Sequence, residues 1–565
     1  MRLNFINSEI YSLHAAALIL GAAGLFSRVL GVLRDRLLAG RFGASRELDI
    51  YYAAFQIPDF MSILFLLGAG TAAILPIFQE YFTKDKEKAK RLISEISTLF
   101  IIGSVAISSI AFFIAPYLMK FITPGFSQNE QAMTANLTRI MLLSPIFLGL
   151  SSILSAVIQS FQRFLSYALA PILYNLGIIT GIIFFMPFWG IRGIAAGVAL
   201  GALLHLSTQL YSVFKLGYIP KFLPTMSHGL KRILSLSFPR VISVSLSQLT
   251  LLVLIAIAST LDKGSISVFQ LAYNLYYMPI GIFGASYAIA IFPRMSLAFI
   301  ERDKNKFFNE LFLGVRTIIF WIAPAALIFV ILRAHIVRAA LGAGVFSWED
   351  TRLTAAALAA FAIAMIFWSL SALLIKAFYA LENTWHPLFI NIFASILSVF
   401  LAVFLAGSLR ETSSFSQNIL SLFRLGDLAR TEILGLALGL AIGQIVNIIL
   451  LYFALLRLAK KIFKDHFEFP YAPIIKIIAA SFCAGIATYA VRASFSATLP
   501  LISFAQVLIQ GAVSGTIGFI IYFAVLFLLK SEDMLFFWDS LERKFLRIKK
   551  LPKYWDGESN LGRHL

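Results

Sequence analysis

GAGTAAILP (Gly68–Pro76) and GASYAIAIFP (Gly284–Pro293) each close an apolar run that holds an earlier proline, Pro58 in one and Pro279 in the other. The matching prolines lie 221 and 217 residues apart (58 to 279 and 76 to 293). Further echoes follow in the same order: Pro171…Asn175 with Pro387…Asn391, the Gly193/Gly197/Gly201 stripe with Gly435/Gly439/Gly443, and FSRVL (Phe26–Leu30) with FPRVI (Phe238–Ile242). Each alone is weak, because small residues at spacing four are common wherever membrane helices pack closely. Their recurrence in one order at similar offsets predicts a duplication into two six-helix lobes, residues 1–218 and 230–465. Six is even, so both lobes enter the bilayer from the same side. That makes a parallel repeat about the membrane normal, able to enclose a cavity for alternating access.

Outward from these runs, the whole chain reads as membrane-spanning. Of its 565 residues, 59% are hydrophobic and 13% charged, whereas a soluble domain is about half apolar and a quarter charged. Apolar runs of bilayer-spanning length place helices near 11–33, 49–79, 92–115, 136–159, 167–187, 191–214, 233–260, 266–296, 311–332, 352–380, 385–407, 433–456, 474–497 and 503–530. In lipid each segment must satisfy its own backbone hydrogen bonds, which calls for helices; the signal per segment is too strong for an outer-membrane barrel. The expected fold is therefore an all-α polytopic membrane protein of about fourteen transmembrane helices. It comprises two pseudosymmetric six-helix lobes, two extra C-terminal helices at 470–530 that have no repeat partner, and a basic cytoplasmic tail at 531–565.

The formal charge is +19. In a soluble chain that would suggest nucleic acid; here it follows from loops that collect Lys and Arg to set topology. The Glu80–Arg91 loop alone carries five. It falls on one side with the basic loops around 215–232, 294–306 and 457–464, which puts both termini in the cytoplasm. The first span has a thin positive flank and continues into charged SRVLGVLRDR, so it reads as an uncleaved span. The lone Cys483 lies in an apolar run and reads as a small packing residue. The seven histidines show no paired ligand spacing, so neither metal nor cofactor is expected.

A charge at mid-bilayer costs about 2.5–3.5 kcal/mol on insertion scales, so each is a functional candidate. The first span ends with Ser27, Arg28, Arg34 and Asp35. Arg28 and Asp35 are seven apart and share a helical stripe, while Arg34 sits about 120° away, so the two arginines cannot share one contact without a bend. Asp49 heads the second span and can pair with an arginine. Arg240 stands at the repeat position of Arg28. Arg139, Arg316 and Lys376 read as side chains that snorkel to the headgroups. There is no Walker A motif, no acidic cluster for Mg²⁺ and no supported Ser–His or Cys–His pair. The chain reads as a transporter rather than an enzyme. Arginines in a dry cavity suit a phosphate-bearing ligand through bidentate, charge-assisted bonds.

LFSRVLGVLRDRLLAGRFGASRELDIYYAAFQIPDF (Leu25–Phe60) resembles the N-terminal signature of the MurJ/MviN murein lipid II flippases. TPGF (Thr123–Phe126), the Gln162–Asn175 region, GSIS (Gly264–Ser267) and AFYALEN (Ala377–Asn383) support the likeness. The resemblance implies the multidrug/oligosaccharidyl-lipid/polysaccharide exporter fold, with the two extra helices forming a groove for a lipid tail. It implies movement of an undecaprenyl-diphosphate-linked disaccharide pentapeptide between leaflets, and it carries over Ser27, Arg28, Arg34 and Asp49 as substrate-site positions, with Arg240 added by the repeat. Membrane lipids and the cell-wall synthesis machinery are the further partners it suggests. The chain departs from the pattern at Ser62, where an arginine is implied, at Leu67, where an acid is implied, and at Tyr273–Asn274, where an Asp–Arg pair is implied. Rival readings are a flippase for another polyprenyl-diphosphate oligosaccharide, a drug antiporter, a membrane-embedded transferase and a non-transporting scaffold.

Overall fold

The computed structural model describes residues 13–68, 71–411, 413–463, 471–498 and 503–538, and leaves the side chains of 13–18, 66–73, 236–244 and 496–498 outside the description. The described residues hold helices and no strand. In chain order they are α1 (Leu13–Phe42), α2 (Arg46–Gly68), α3 (Thr71–Lys84), α4 (Lys86–Ile122), α5 (Gln128–Met141), α6 (Leu143–Ser160), α7 (Phe164–Thr180), α8 (Met186–Trp189), α9 (Ile191–Leu216) and α10 (His228–Ser259). Then come α11 (Ser265–Pro279), α12 (Ala285–Ile300), α13 (Lys304–Ile331), α14 (Arg333–Leu341), α15 (Trp348–Ala380), α16 (Trp385–Arg410), α17 (Ser414–Phe423), α18 (Ile433–Phe463), α19 (Ala472–Thr498) and α20 (Phe504–Leu528).

Eleven helical segments among the described residues are long and apolar enough to cross a bilayer. The other three of the fourteen expected spans fall on α1, on α2–α3 and on α10. On α16, Phe389, Phe393, Ile396, Phe400 and Phe404 are all exposed. They recur at helical spacing, and such a stripe is stable where lipid covers it. The chain is thus a multi-pass, all-α membrane protein.

The span expected at 49–79 falls on α2 and α3, with residues 69–70 between them outside the described residues. Two expectations change in detail. The fourth span begins earlier than expected, because Ser127 and Glu130 form a capping box that starts α5. The loop expected at 408–432 contains α17, whose N-cap Ser413 accepts from the Ser416 N–H.

Contacts divide the chain into two compact units. The first comprises 1–278, 336–361 and 388–446. Within it the glycine stripes act as the sequence suggests. A Cβ on Gly197 would meet Gly181, and one on Gly201 would strike the Tyr174 carbonyl, so α9 lies directly against α7 and the π-type turn that follows it. Gly435, Gly439 and Gly443 lie as closely against Ala406, Ala402 and Ser398 of α16. Two loop contacts are reciprocal. Gly125 abuts the Ser259 carbonyl and Gly344 abuts the Gly40 carbonyl, both pairs shifted by 219 residues (40 to 259 and 125 to 344).

The second unit comprises 279–335, 362–387 and 447–565. Here α13 packs against α19 and α20. The Tyr522 hydroxyl donates to the Phe320 carbonyl at 2.6 Å. Arg316, expected to snorkel, instead pairs with Glu532 at 2.7 Å and Asp533 at 2.6 Å. Burial among these groups raises the Asp533 carboxyl above the usual range, against the pull of Arg316. Lys376 lies 5.2 Å from the Phe292 ring.

Candidate functional site

Within the first unit, α1, α7 and α11 bring polar groups to one cavity of about 330 Å³. Helical period puts Ser27, Arg28, Gly31, Arg34 and Asp35 on its α1 wall. Arg28 donates from Nη1 to the Met278 carbonyl at 2.6 Å. That carbonyl sits at the end of α11, beside Pro279 and the π-type turn Ile280–Gly284, where the regular hydrogen-bond ladder is interrupted.

Arg34 grips its neighbour Asp35 through Nε at 2.9 Å and Nη2 at 2.8 Å, both on Oδ1. Its Nη1 reaches Asn175 Oδ1 at 3.4 Å. Asn175 in turn donates to the Ser27 carbonyl and hydroxyl, each at 3.2 Å. On the other side, Asn274 donates to Asp35 Oδ2 at 3.0 Å and accepts from Gln270 Nε2 at 3.0 Å. Gln270, Asn274, Asp35, Arg34, Asn175 and Ser27 therefore form one chain of hydrogen bonds joining α11, α1 and α7. The two arginines share the cavity without sharing a contact, as their angular separation on α1 suggests.

Asp49 is placed elsewhere. It is buried and accepts from the Gly264 N–H at 2.6 Å, the Ser267 N–H at 2.8 Å and the Ser267 hydroxyl at 2.7 Å. It caps the N-terminus of α11, where a carboxylate meets the positive end of the helix dipole. The arginine beside it is Arg46, 3.8 Å away, which also faces Glu130 at 3.5 Å and the Phe126 ring at 4.6 Å. Gly264 holds φ +89°, and a Cβ there would collide with the Ala44 carbonyl. Asp49 thus positions α11, the helix that presents Asn274 and Met278.

Of the remaining sequence candidates, Arg240 lies on α10 with its side chain outside the described residues. Arg139 packs over Phe112 at 4.9 Å and donates to its carbonyl at 3.0 Å. Ser62 is buried, Tyr273 and Asn274 line the cavity, and the Leu67 side chain is outside the description. Sequence reading passed over Asp59, an exposed acid in the middle of α2 within electrostatic reach of Arg34. The signal was present, since a lone carboxylate inside an apolar run is a functional candidate in its own right.

A helical membrane fold with a cation-lined cavity defines a polytopic transporter. The family described as "Lipid II flippase MurJ" matches residues 38–510, and the chain belongs to that family. The "Lipid II flippase MurJ" of Burkholderia cenocepacia is 28% identical over 391 residues, spanning 67% of this chain and 76% of the relative. The "Probable lipid II flippase MurJ" of Borreliella burgdorferi is 28% identical over 382 residues, covering 67% and 75%. A solved structure titled "Lipid II flippase MurJ, inward closed conformation" superposes with a TM-score of 0.71 at 24% identity, covering 93% of this chain and all of that one. An inward-facing multidrug resistance MATE transporter of the MOP superfamily follows at 0.64 and 17%, covering 78% and 96%.

Proposed function

We propose that this chain moves lipid II, the undecaprenyl-diphosphate-linked peptidoglycan precursor, across the cytoplasmic membrane by alternating access, with both termini in the cytoplasm. The observation that carries the reading is the pair of arginines, Arg28 and Arg34, on the wall of one cavity. A guanidinium offers five N–H donors in a planar fork. Arg28 spends Nη1 on a carbonyl, and Arg34 spends Nε and Nη2 on a single carboxylate oxygen. Donors of both forks remain for a diphosphate, the kind of planar, charge-assisted recognition at which arginine excels. The cavity volume suits the diphosphate end of such a ligand, while the apolar tail stays in lipid along α19 and α20.

In this reading Ser27 and Asn175 hold Arg34 in place, Asp49 positions α11, and Arg240 adds a cation from the second six-helix lobe. Family membership and the similarly named relatives support lipid II as cargo. The decisive experiment is conditional depletion in the source bacterium with analysis of lipid-linked precursors. Lipid II should accumulate on the cytoplasmic side; accumulation of a different polyprenyl-linked oligosaccharide would replace the cargo, and accumulation of none would defeat the reading.

A further inference from the structure

Phe269, Tyr273 and Tyr277 follow one another at spacing four along α11, which puts their rings on one face of the helix. Phe269 and Tyr273 lie nearly parallel, with centroids 6.2 Å apart and planes 13° apart. Tyr273 and Tyr277 repeat the arrangement at 6.1 Å and 13°. Phe361 closes this ladder from the side, edge-on to Phe269 at 5.3 Å and to Tyr273 at 6.0 Å. Tyr276 meets the Tyr277 ring edge-on at 6.3 Å.

The ladder runs from the core to the cavity. Phe269 is 1% exposed, whereas Tyr277 at the other end is 47% exposed. Tyr273 and Tyr277 both line the cavity that holds Arg28 and Arg34. Tyr273 is also a departure from the resembled pattern, an aromatic ring where an acid is implied, and it is the middle rung. Its packing fixes the Tyr277 ring in advance, so a ligand that covers the open face pays little ordering entropy.

Arg28 is tied to the same turn of α11. Its Nη1 donates at 2.6 Å to the carbonyl of Met278, the residue after Tyr277. An anion held at Arg28 therefore brings its substituents to the turn that carries the exposed ring.

The surroundings select among ligands for that ring. A cation would suit its negative face, but Arg28 and Arg34 repel a cation from this cavity. An isoprenoid tail would leave the cavity's Ser27, Asn175 and Asn274 facing hydrocarbon. A pyranose satisfies both sides. Its C–H face carries slightly positive hydrogens that match an aromatic face, and its hydroxyls need hydrogen bonds at the rim. The Ser27 hydroxyl accepts from Asn175 and keeps its own proton to give.

We propose that Tyr277 is the platform on which the sugar joined directly to the diphosphate stacks, with the phosphates at Arg28 and Arg34. The proposal rests on the diphosphate reading of the cavity and adds a sugar subsite to it. Bare lipid diphosphate offers the arginines the same anion, so the ring is what lets the cavity prefer a sugar-loaded carrier over an empty one.

The test titrates the full-length protein in lipid nanodiscs with two probes, undecaprenyl diphosphate and undecaprenyl diphosphate linked to N-acetylmuramic acid. Wild type should bind the sugar-linked probe more tightly. Tyr277→Leu should weaken that probe by about three- to tenfold while binding undecaprenyl diphosphate with the wild-type Kd. Tyr277→Phe keeps the ring and should keep the preference. In Tyr277→Trp the fluorescence of the new ring should shift with the sugar-linked probe and not with the bare diphosphate. Equal weakening of both probes in Tyr277→Leu, no weakening of either, or the same tryptophan emission with both overturns the subsite. Binding of tetraphenylphosphonium that Tyr277→Leu abolishes would replace the sugar by a cation. Failure of the diphosphate reading is distinct: wild type would bind neither probe, or Arg28→Ala and Arg34→Ala would bind undecaprenyl diphosphate undiminished.

Discussion

Asn274 donates to Asp35 Oδ2 at 3.0 Å across 239 residues of sequence, while Arg34 holds the other oxygen of that carboxylate. Asp35 is buried and fully satisfied. An amide stands where the resemblance implies an arginine, so α11 braces α1 without adding charge, and the cations that line the cavity are Arg28 and Arg34.

Replacing Asn274 by leucine leaves a buried carboxylate oxygen without its donor. A loss of about 1–3 kcal/mol follows, read as a lower melting temperature of the detergent-solubilised protein. A melting temperature equal to wild type would show that the brace carries no weight.

Arg28→Ala should abolish complementation of a flippase-depleted strain while protein still accumulates in the membrane. Arg28→Lys should rescue only partly, because an ammonium lacks the planar fork. Full growth of the alanine strain would remove Arg28 from the site.

Arg240→Ala should cost growth, and adding Asn274→Arg should restore some of it by returning a cation to the cavity wall. Wild-type growth of Arg240→Ala at equal expression would show that Arg240 contributes no cation there.

Asp49→Ala removes the three-donor cap on α11, and the expected destabilisation is about 2–3 kcal/mol. Gly264→Ala should be at least as harmful, given its positive φ and the nearby Ala44 carbonyl. Gly24→Ala, with nothing within 4 Å of the added carbon, is the matched control and should fold normally. Comparable yields and melting temperatures for all three would contradict the capping role.

Topology is open to thiol labelling in a Cys483→Ser background. A cysteine at Lys86 should resist an impermeant reagent in intact spheroplasts, and one at Ser127 should react. The opposite pattern would invert the orientation.

Much of the site was legible before any coordinates. Arg28, Arg34 and Asp35 stand out as charges in an apolar run, and helical period places them around one helix. Asn175 was visible as half of a repeated proline–asparagine spacing, and Asn274 as a departure from the resembled pattern. What they do was not visible. Asp49 looked like an arginine's partner, and Arg46 does stand 3.8 Å away, but its hydrogen bonds go to Gly264 and Ser267. Arg316 looked like a snorkelling side chain and is paired with Glu532 and Asp533, 216 residues away for the first of them.

The sequence by itself determined that the chain is helical, crosses the membrane many times and carries arginines where lipid would reject them. Lipid offers the backbone no partners, so composition and run length decide secondary structure locally, with little left for long-range contacts to overturn. Tertiary structure alone decided which acid lines the cavity and which braces the frame. Asp35 and Asp49 are the same side chain in similar runs. They differ in the partners brought to them: Arg34 and an amide from α11 for Asp35, and the free N–H groups at the start of that helix for Asp49. A carboxylate's role is set by the charges and donors within a few ångströms, and for these residues most of those lie more than 200 positions away in the chain.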